Sequence, residues 1–167
     1  MKFLITYDQV HELIRGKVKD IQEKFIPDVI LAIGGGGYIP ARILRNWVDA
    51  PIIGVGVQLY GKEEKQKSGG LKKIQWLDEH AMNAMKGKRV IIVDEVDDTR
   101  TTLHYCVKEL KGIASALGVF VLHNKKKEKE ELHVTFYLAG EDVSANLWIV
   151  YPWEADDIKE HNQNTFK

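Results

Sequence analysis

The sequence has a single cysteine, Cys106, in 167 residues. No internal disulfide is possible, and a reducing compartment fits. It has no surplus of charge either: 24 Lys and Arg balance 24 Asp and Glu. That removes any global electrostatic case for nucleic acid or an anionic membrane as partner. No apolar run is long enough to cross a bilayer. Met1 to Asp8 lacks the apolar core and small-residue cleavage site of a signal peptide, so a cytoplasmic protein is expected. The six histidines and one cysteine show no zinc-ligand spacing. No repeat or linker interrupts the chain. The length predicts one domain, residues 1–167, with one substantial core.

What is present centres on Arg89 to Leu103. Val90-Ile91-Ile92-Val93 is an unbroken β-branched run, suited to a central parallel strand. Four acids follow within five positions, Asp94, Glu95, Asp97 and Asp98, and then Thr99, Thr101 and Thr102 open a helical stretch. Carboxylates at the end of a buried strand lie where open α/β sheets bind ligands. Hydroxyls and backbone N–H groups at a helix start make a phosphate cradle. The segment therefore offers groups for sugar hydroxyls or Mg²⁺, then donors for a phosphate, as a phosphorylated sugar needs.

The rest of the chain reads as alternating strands and helices. Thr6 and Gln9 form a capping box, and apolar spacing carries a first helix to about Phe25. Asp28 to Ile33 is a buried strand, followed by Gly34-Gly35-Gly36-Gly37 and a helix from Tyr38 to Trp47. Strand, glycine run and helix start form an anion-binding design. It fits neither G-x-G-x-x-G nor G-x-x-x-x-G-K-[ST], which weakens a Rossmann or Walker reading. Pro51 to Val57 is a strand in which Gly54 and Gly56 leave room above one face. Tyr60 to Lys73 is polar and reads as a mobile loop. Asp78 to Met85 and Thr102 to Leu110 are helices, the second burying Cys106. Ala116 to Leu122 and Val134 to Gly140 are strands. Lys125 to Glu131 has nearly cancelling charges and reads as a solvated loop. Trp148 and Trp153 offer flat faces for a base, or else core packing. Ala155 to Lys167 is polar and expected to fray.

Asp94-Glu95-Val96-Asp97-Asp98-Thr99-Arg100-Thr101-Thr102 resembles the phosphoribosyl pyrophosphate motif of type I phosphoribosyltransferases. That motif is an apolar strand, two acids, two mostly apolar residues, then Asp-Thr-Gly-x-Thr. Asp97 replaces an apolar residue and Arg100 replaces the glycine of the phosphate loop. The fungal-type hypoxanthine-guanine branch carries both departures. Trp148, Ile149, Pro152 and Trp153 resemble the base-binding segment of that branch and of xanthine-guanine enzymes. The resemblance spans Asp28 to Glu154.

It implies an α/β fold, a parallel sheet flanked by helices, with its core at about residues 28–123. A hood would come from the N-terminal segment and about 124–154. It implies a purine phosphoribosyltransferase joining a 6-oxopurine to phosphoribosyl pyrophosphate, and releasing a nucleoside 5′-monophosphate and pyrophosphate. Gly34 to Gly37 match the pyrophosphate loop. Residues 60–73 match the catalytic lid, with Lys72 and Lys73 supplying charge that the glycine loop lacks. Asp94 and Glu95 would hold the ribose hydroxyls and Mg²⁺. Asp97 to Thr102 would line the nucleotide site, and Asp98 would interact with the purine N7 and move its proton. Lys125 would meet the purine O6, unless Lys126 or Lys127 takes that register. Trp148 would stack on the purine and Ile149 contact it partly by backbone. Arg100 would bind the 5′-phosphate or fasten its loop, or else form a surface ion pair with Asp97. A homo-oligomer, dimer or tetramer, is implied too. The alternative is a non-catalytic nucleotide-binding sensor on the same fold; a pyrimidine or nucleotide-phosphate enzyme is a weaker rival.

Overall fold

A computed structural model describes residues 2–59 and 71–165, so most of the expected lid lies outside the described residues. The main sheet contains β2 (Val29–Gly34), β3 (Ile52–Leu59), β4 (Leu71–Gln75), β5 (Arg89–Asp97), β6 (Ala116–Lys126) and β7 (Phe136–Ser144). Its order is β4-β3-β2-β5-β6-β7. Among the described strands of this sheet only β4, hydrogen-bonded to β3, runs antiparallel. The chain leaves β2 toward β3 on one side and leaves β5 toward β6 and β7 on the other. The switch point between β2 and β5 is where a sheet of this kind opens a crevice.

Both faces of the sheet are covered, which is why its central strands are apolar throughout. Strand side chains alternate faces. Ile30, Ala32, Ile91, Val93, Phe120 and Leu122 pack with the first three helices. These are α1 (Tyr7–Arg15), α2 (Val18–Lys24) and α3 (Tyr38–Leu44). Leu31, Ile33, Val90, Ile92, Val119 and Val121 pack on the other face, against α4 (Glu79–Met85) and α5 (Thr101–Leu110). Ile91 and Ile92 have no exposed surface, and burying each contributes roughly 1.5–3 kcal/mol. Cys106 is buried, and burial pushes its thiol up to about 12.

Several element boundaries differ from the sequence reading. The Thr6–Gln9 capping box is present, but the first helix divides at Gly16, whose N–H bonds back to the Glu12 carbonyl while the Lys17 N–H bonds to the Ile14 carbonyl. Leu71 to Lys73 form strand, because β4 adds a hydrogen-bonded edge to β3. β5 continues through the acids to Asp97 because β6 pairs with it that far. β6 likewise runs on to Lys126, and β7 starts and ends later than its apolar run. Residues 158–164 form α6 (Ile158–Asn164) instead of fraying. His161 Nε2 lies 2.9 Å from the Ile5 carbonyl, tying the two chain ends together. The N-terminal strand β1 (Lys2–Leu4) pairs in parallel with β8 (Trp148–Val150) as a separate two-stranded sheet.

Candidate active site

β2 accompanies β5 only as far as the Ala32–Val93 pair. Beyond it, β2 ends at Gly34 and the chain turns through Gly35–Gly37 into α3. The Gly34–Gly35 peptide is cis. β5 runs on beside β6, so one edge of Asp94–Asp97 is freed toward the glycine turn. The Glu95 carboxylate fills the place a Cβ on Gly36 would need. A Cβ on Gly37 would strike the Val93 carbonyl. Only glycine allows that approach. The room above Gly54 is occupied from within the chain, by the ring of Tyr38.

Asp94 is buried, and the Glu95 N–H donates to its Oδ1 at 2.8 Å. Burial, and then the neighbouring Glu95 carboxylate, push the Asp94 carboxyl well above its ordinary value. Glu95 Oε2 is buried without a partner. A tight carboxylate pair with an orphaned oxygen fits a hard divalent cation or sugar hydroxyls. Among the described residues no third acid, His or Cys completes a metal cluster, so a cation there would draw the rest of its shell from substrate or water.

Asp97 and Asp98, adjacent in sequence, have opposite settings. The Asp97 side chain is fully buried. Its Oδ2 accepts from Arg100 Nε at 3.0 Å, Arg100 Nη2 at 2.8 Å and the Tyr137 hydroxyl at 2.8 Å. Burial raises its carboxyl, but those hydrogen bonds more than offset that and hold it below its usual value. Arg100 Nη1 donates to the Glu130 carbonyl at 3.2 Å. The guanidinium is thus held between the Asp97 carboxylate and the Glu130 carbonyl. The pair is no surface ion pair, since the Arg100 side chain is only 16% exposed. Asp98 is half-exposed, accepting from Lys125 Nζ at 3.0 Å and from Lys127. Burial pushes its carboxyl up, and the two lysines bring the net value below the usual range.

Asp98, Thr99, Arg100, Thr101 and Thr102 join Asp94 and Glu95 around a cavity of about 240 Å³ at the start of α5. The Thr99 and Thr101 hydroxyls are 2.9 Å apart. A groove of about 440 Å³ lies elsewhere, beside Lys111, Leu117 and Val134 at the amino ends of β6 and β7. The smaller cavity is the candidate site, because parallel sheets bind ligands at carboxyl ends.

Trp148 is 66% exposed, so it is not a core residue. The Ile149 side chain packs on the core. Lys73 does not reach the glycine turn: its Nζ pairs with Glu109 at 2.7 Å and lies 5.0 Å from the Trp76 ring centroid. The Lys72 side chain is outside the described residues. Sequence reasoning missed Tyr151, His123, Lys129 and Tyr137. The Tyr151 ring stacks on Trp153 at 4.7 Å and its hydroxyl donates to the Glu95 carbonyl. His123 is buried against that hydroxyl, and burial lowers it to about 4. Lys129 had a faint signal, being an alternate position from Lys125 and Lys127 in a segment that otherwise reads as solvated.

A carboxylate pair and a hydroxyl-lined helix start, flanking the switch point of a parallel sheet, define a protein that binds a phosphorylated sugar or nucleotide. Residues 6–155 match the phosphoribosyl transferase domain, and the chain belongs to the phosphoribosyltransferase family. It is 38% identical to hypoxanthine-guanine phosphoribosyltransferase of Schizosaccharomyces pombe, covering 100% of this chain and 96% of that protein. It is 40% identical to xanthine phosphoribosyltransferase 1 of Saccharomyces cerevisiae, over 96% and 93% of the two chains. A hypothetical protein from Neisseria gonorrhoeae, solved with bound ppGpp, superposes with a TM-score of 0.87 at 38% identity, over 99% of this chain and 96% of that one. No described helix is long and apolar enough to cross a membrane.

Proposed function

We propose that the protein is a purine salvage enzyme of the cytoplasm. It transfers the 5-phosphoribosyl group of phosphoribosyl pyrophosphate to hypoxanthine, guanine or xanthine. The bond from sugar C1 to pyrophosphate breaks, a bond from C1 to the purine forms, and the purine loses a proton. The observation that carries this reading is the grouping of Asp98 and Lys125 beside the phosphate cradle, in a chain close to full-length hypoxanthine-guanine and xanthine enzymes.

Each group has a task in that reaction. The Thr99–Thr102 turn holds the 5′-phosphate at the start of α5. Asp94 and Glu95 hold the ribose hydroxyls, and with substrate oxygens they would hold Mg²⁺. Mg²⁺ would supply positive charge to the leaving pyrophosphate. The glycine turn lets its backbone approach the same group. Lys125 turns from Asp98 to the purine O6, which restores basicity to Asp98 as the purine proton is to be moved. Trp148 provides the stacking face, and Ile149 contributes backbone.

The test is purified protein with phosphoribosyl pyrophosphate, Mg²⁺ and each base in turn, with products identified by chromatography. A nucleoside monophosphate and pyrophosphate in equal amounts are expected. Tight nucleotide binding with no turnover on any base would favour a non-catalytic sensor. The Neisseria gonorrhoeae structure with ppGpp supports a nucleotide pocket and makes ppGpp a competitor to include.

A further inference from the structure

The two departures from the resembled motif meet a third residue in the fold. Arg100 occupies the motif's glycine position and adopts the left-handed conformation, φ 67° and ψ 1°. Glycine takes that conformation freely, whereas an arginine is strained in it. Asp97, where the motif is apolar, accepts both bonds of the guanidinium fork. The third residue is Lys129, whose side chain is 5% exposed. Its Nζ donates to the Asp97 carbonyl at 2.8 Å and to Asn124 Oδ1 at 2.5 Å. It also lies 3.2 Å from Asp97 Oδ1, an oxygen with no aligned hydrogen bond of its own. Tyr137 completes the cage, its hydroxyl on Asp97 and its ring 5.3 Å from the Arg100 guanidinium carbon.

We propose that Lys129 is a positioning residue for the 5′-phosphate loop, acting through Asp97 to hold Arg100 in its left-handed backbone. A buried lysine is costly unless it is paired, and this one spends its donors on Asp97 and Asn124. Asp97 is thereby fixed from two sides, by Lys129 from below and by Arg100 from the loop. The unit does with a salt-bridged arginine what glycine does by conformational freedom. The one Asp97 carboxylate faces both the Arg100 guanidinium and the Lys129 ammonium group. A phosphate monoester is the ligand chemistry that such a loop takes. The inference rests on the proposed phosphate site and adds the residue that shapes it.

The experiment compares guanosine monophosphate with guanosine, by calorimetry, on wild type, Lys129→Met, Tyr137→Phe and the triple variant Asp97→Val/Arg100→Gly/Lys129→Met. Lys129→Met is expected to lose about tenfold in monophosphate affinity with guanosine affinity unchanged. Tyr137→Phe should move the same ratio by less, and it carries the test if Lys129→Met does not fold. The triple variant should recover the monophosphate preference, because glycine takes the left-handed backbone without a clamp. A wild type that prefers the monophosphate, with the same ratio in Lys129→Met or Tyr137→Phe, overturns the inference alone. So does a triple variant no better than Lys129→Met. A wild type that binds neither compound overturns the proposed function and the inference with it.

Discussion

The Tyr151 hydroxyl donates to the Glu95 carbonyl at 2.8 Å and stands 2.9 Å from His123 Nδ1. A hydroxyl has one proton to give. Since that proton goes to Glu95, the tyrosine oxygen accepts from His123, whose ring is then neutral with its proton on Nδ1. One side chain thus anchors the end of β5 to the segment that follows β8. Tyr151→Phe should leave the Glu95 carbonyl and the His123 N–H unpaired, at a cost of roughly 1–3 kcal/mol. The urea midpoint should fall with an unchanged slope. Affinity for phosphoribosyl pyrophosphate should fall too, because Glu95 loses its anchor. A midpoint equal to wild type would show that the bond contributes nothing.

Trp148 separates binding from folding. At 66% exposure it has little to lose from the core. Trp148→Ala should leave the unfolding midpoint within about 0.5 kcal/mol of wild type. It should weaken purine or nucleotide binding by roughly 1–3 kcal/mol, the loss of a stacking face. Unchanged affinity in a fluorescence or calorimetric titration would void the base-site assignment.

The parts of the fold legible in the sequence were those with a local cause. Val90–Val93 specified a doubly covered strand, and the glycine run specified a close approach that Gly36 makes to Glu95. Cys106 followed from helical spacing. What stayed hidden depends on partners far along the chain. Asp97 reads as one acid among four, yet its role comes from Tyr137, 40 positions on. Lys129 sits in a charge run that reads as solvent-facing, and only the β5–β6 register brings it under Asp97. Nor does periodicity reveal that Gly16 divides the first helix, because both halves keep the same apolar face on the sheet.

Ile26 is held at φ 55° after α2, where its N–H bonds to the Ile21 carbonyl at 2.9 Å. A β-branched residue is poorly suited to that left-handed turn, where glycine is usual. Its side chain is 63% exposed and gives little packing in return. Ile26→Gly should therefore stabilise the protein by about 1 kcal/mol, through relief of that strain. Chemical unfolding measures it directly, and a lower midpoint would mean that the isoleucine contributes more packing than its exposure suggests.

His123 gives the fold an acid sensitivity of defined sign. Burial lowers its pKa from 6.5 to about 4, so between those values the unfolded chain binds a proton that the folded protein refuses. Stability contributed by the neutral ring is complete above pH 6.5 and is lost as pH falls toward 4. Asp94, whose carboxyl is raised, has the opposite slope above its ordinary value. His123→Asn keeps a donor for Tyr151 and removes only the histidine's share. The gap between the stability curves of wild type and variant should change by up to roughly 3 kcal/mol between pH 7 and pH 4. Parallel curves would show that the ring protonates in the folded state without penalty.

Asp98 is held between Lys125 and Lys127, and those two cations outweigh burial in setting its carboxyl low. A low pKa is a poor setting for a general base, which works best near the operating pH. The site resolves this if the purine O6 draws Lys125 away, because Asp98 then keeps one cation instead of two. Lys127→Met removes the other. In the proposed role the active form of Asp98 is the carboxylate, and its titration would set the acid limb of the rate profile. Taking away a cation raises the pKa, and the acid limb of kcat/KM should move to higher pH. Asp98→Asn should lower turnover by about 10² to 10⁴-fold while phosphoribosyl pyrophosphate still binds. Profiles of kcat/KM against pH for the three proteins, with one purine, test both statements. An acid limb that stays in place in Lys127→Met removes that lysine from the base's electrostatics. Near-normal turnover in Asp98→Asn removes Asp98 from proton transfer, leaving it to hold Lys125 and Lys127 in place.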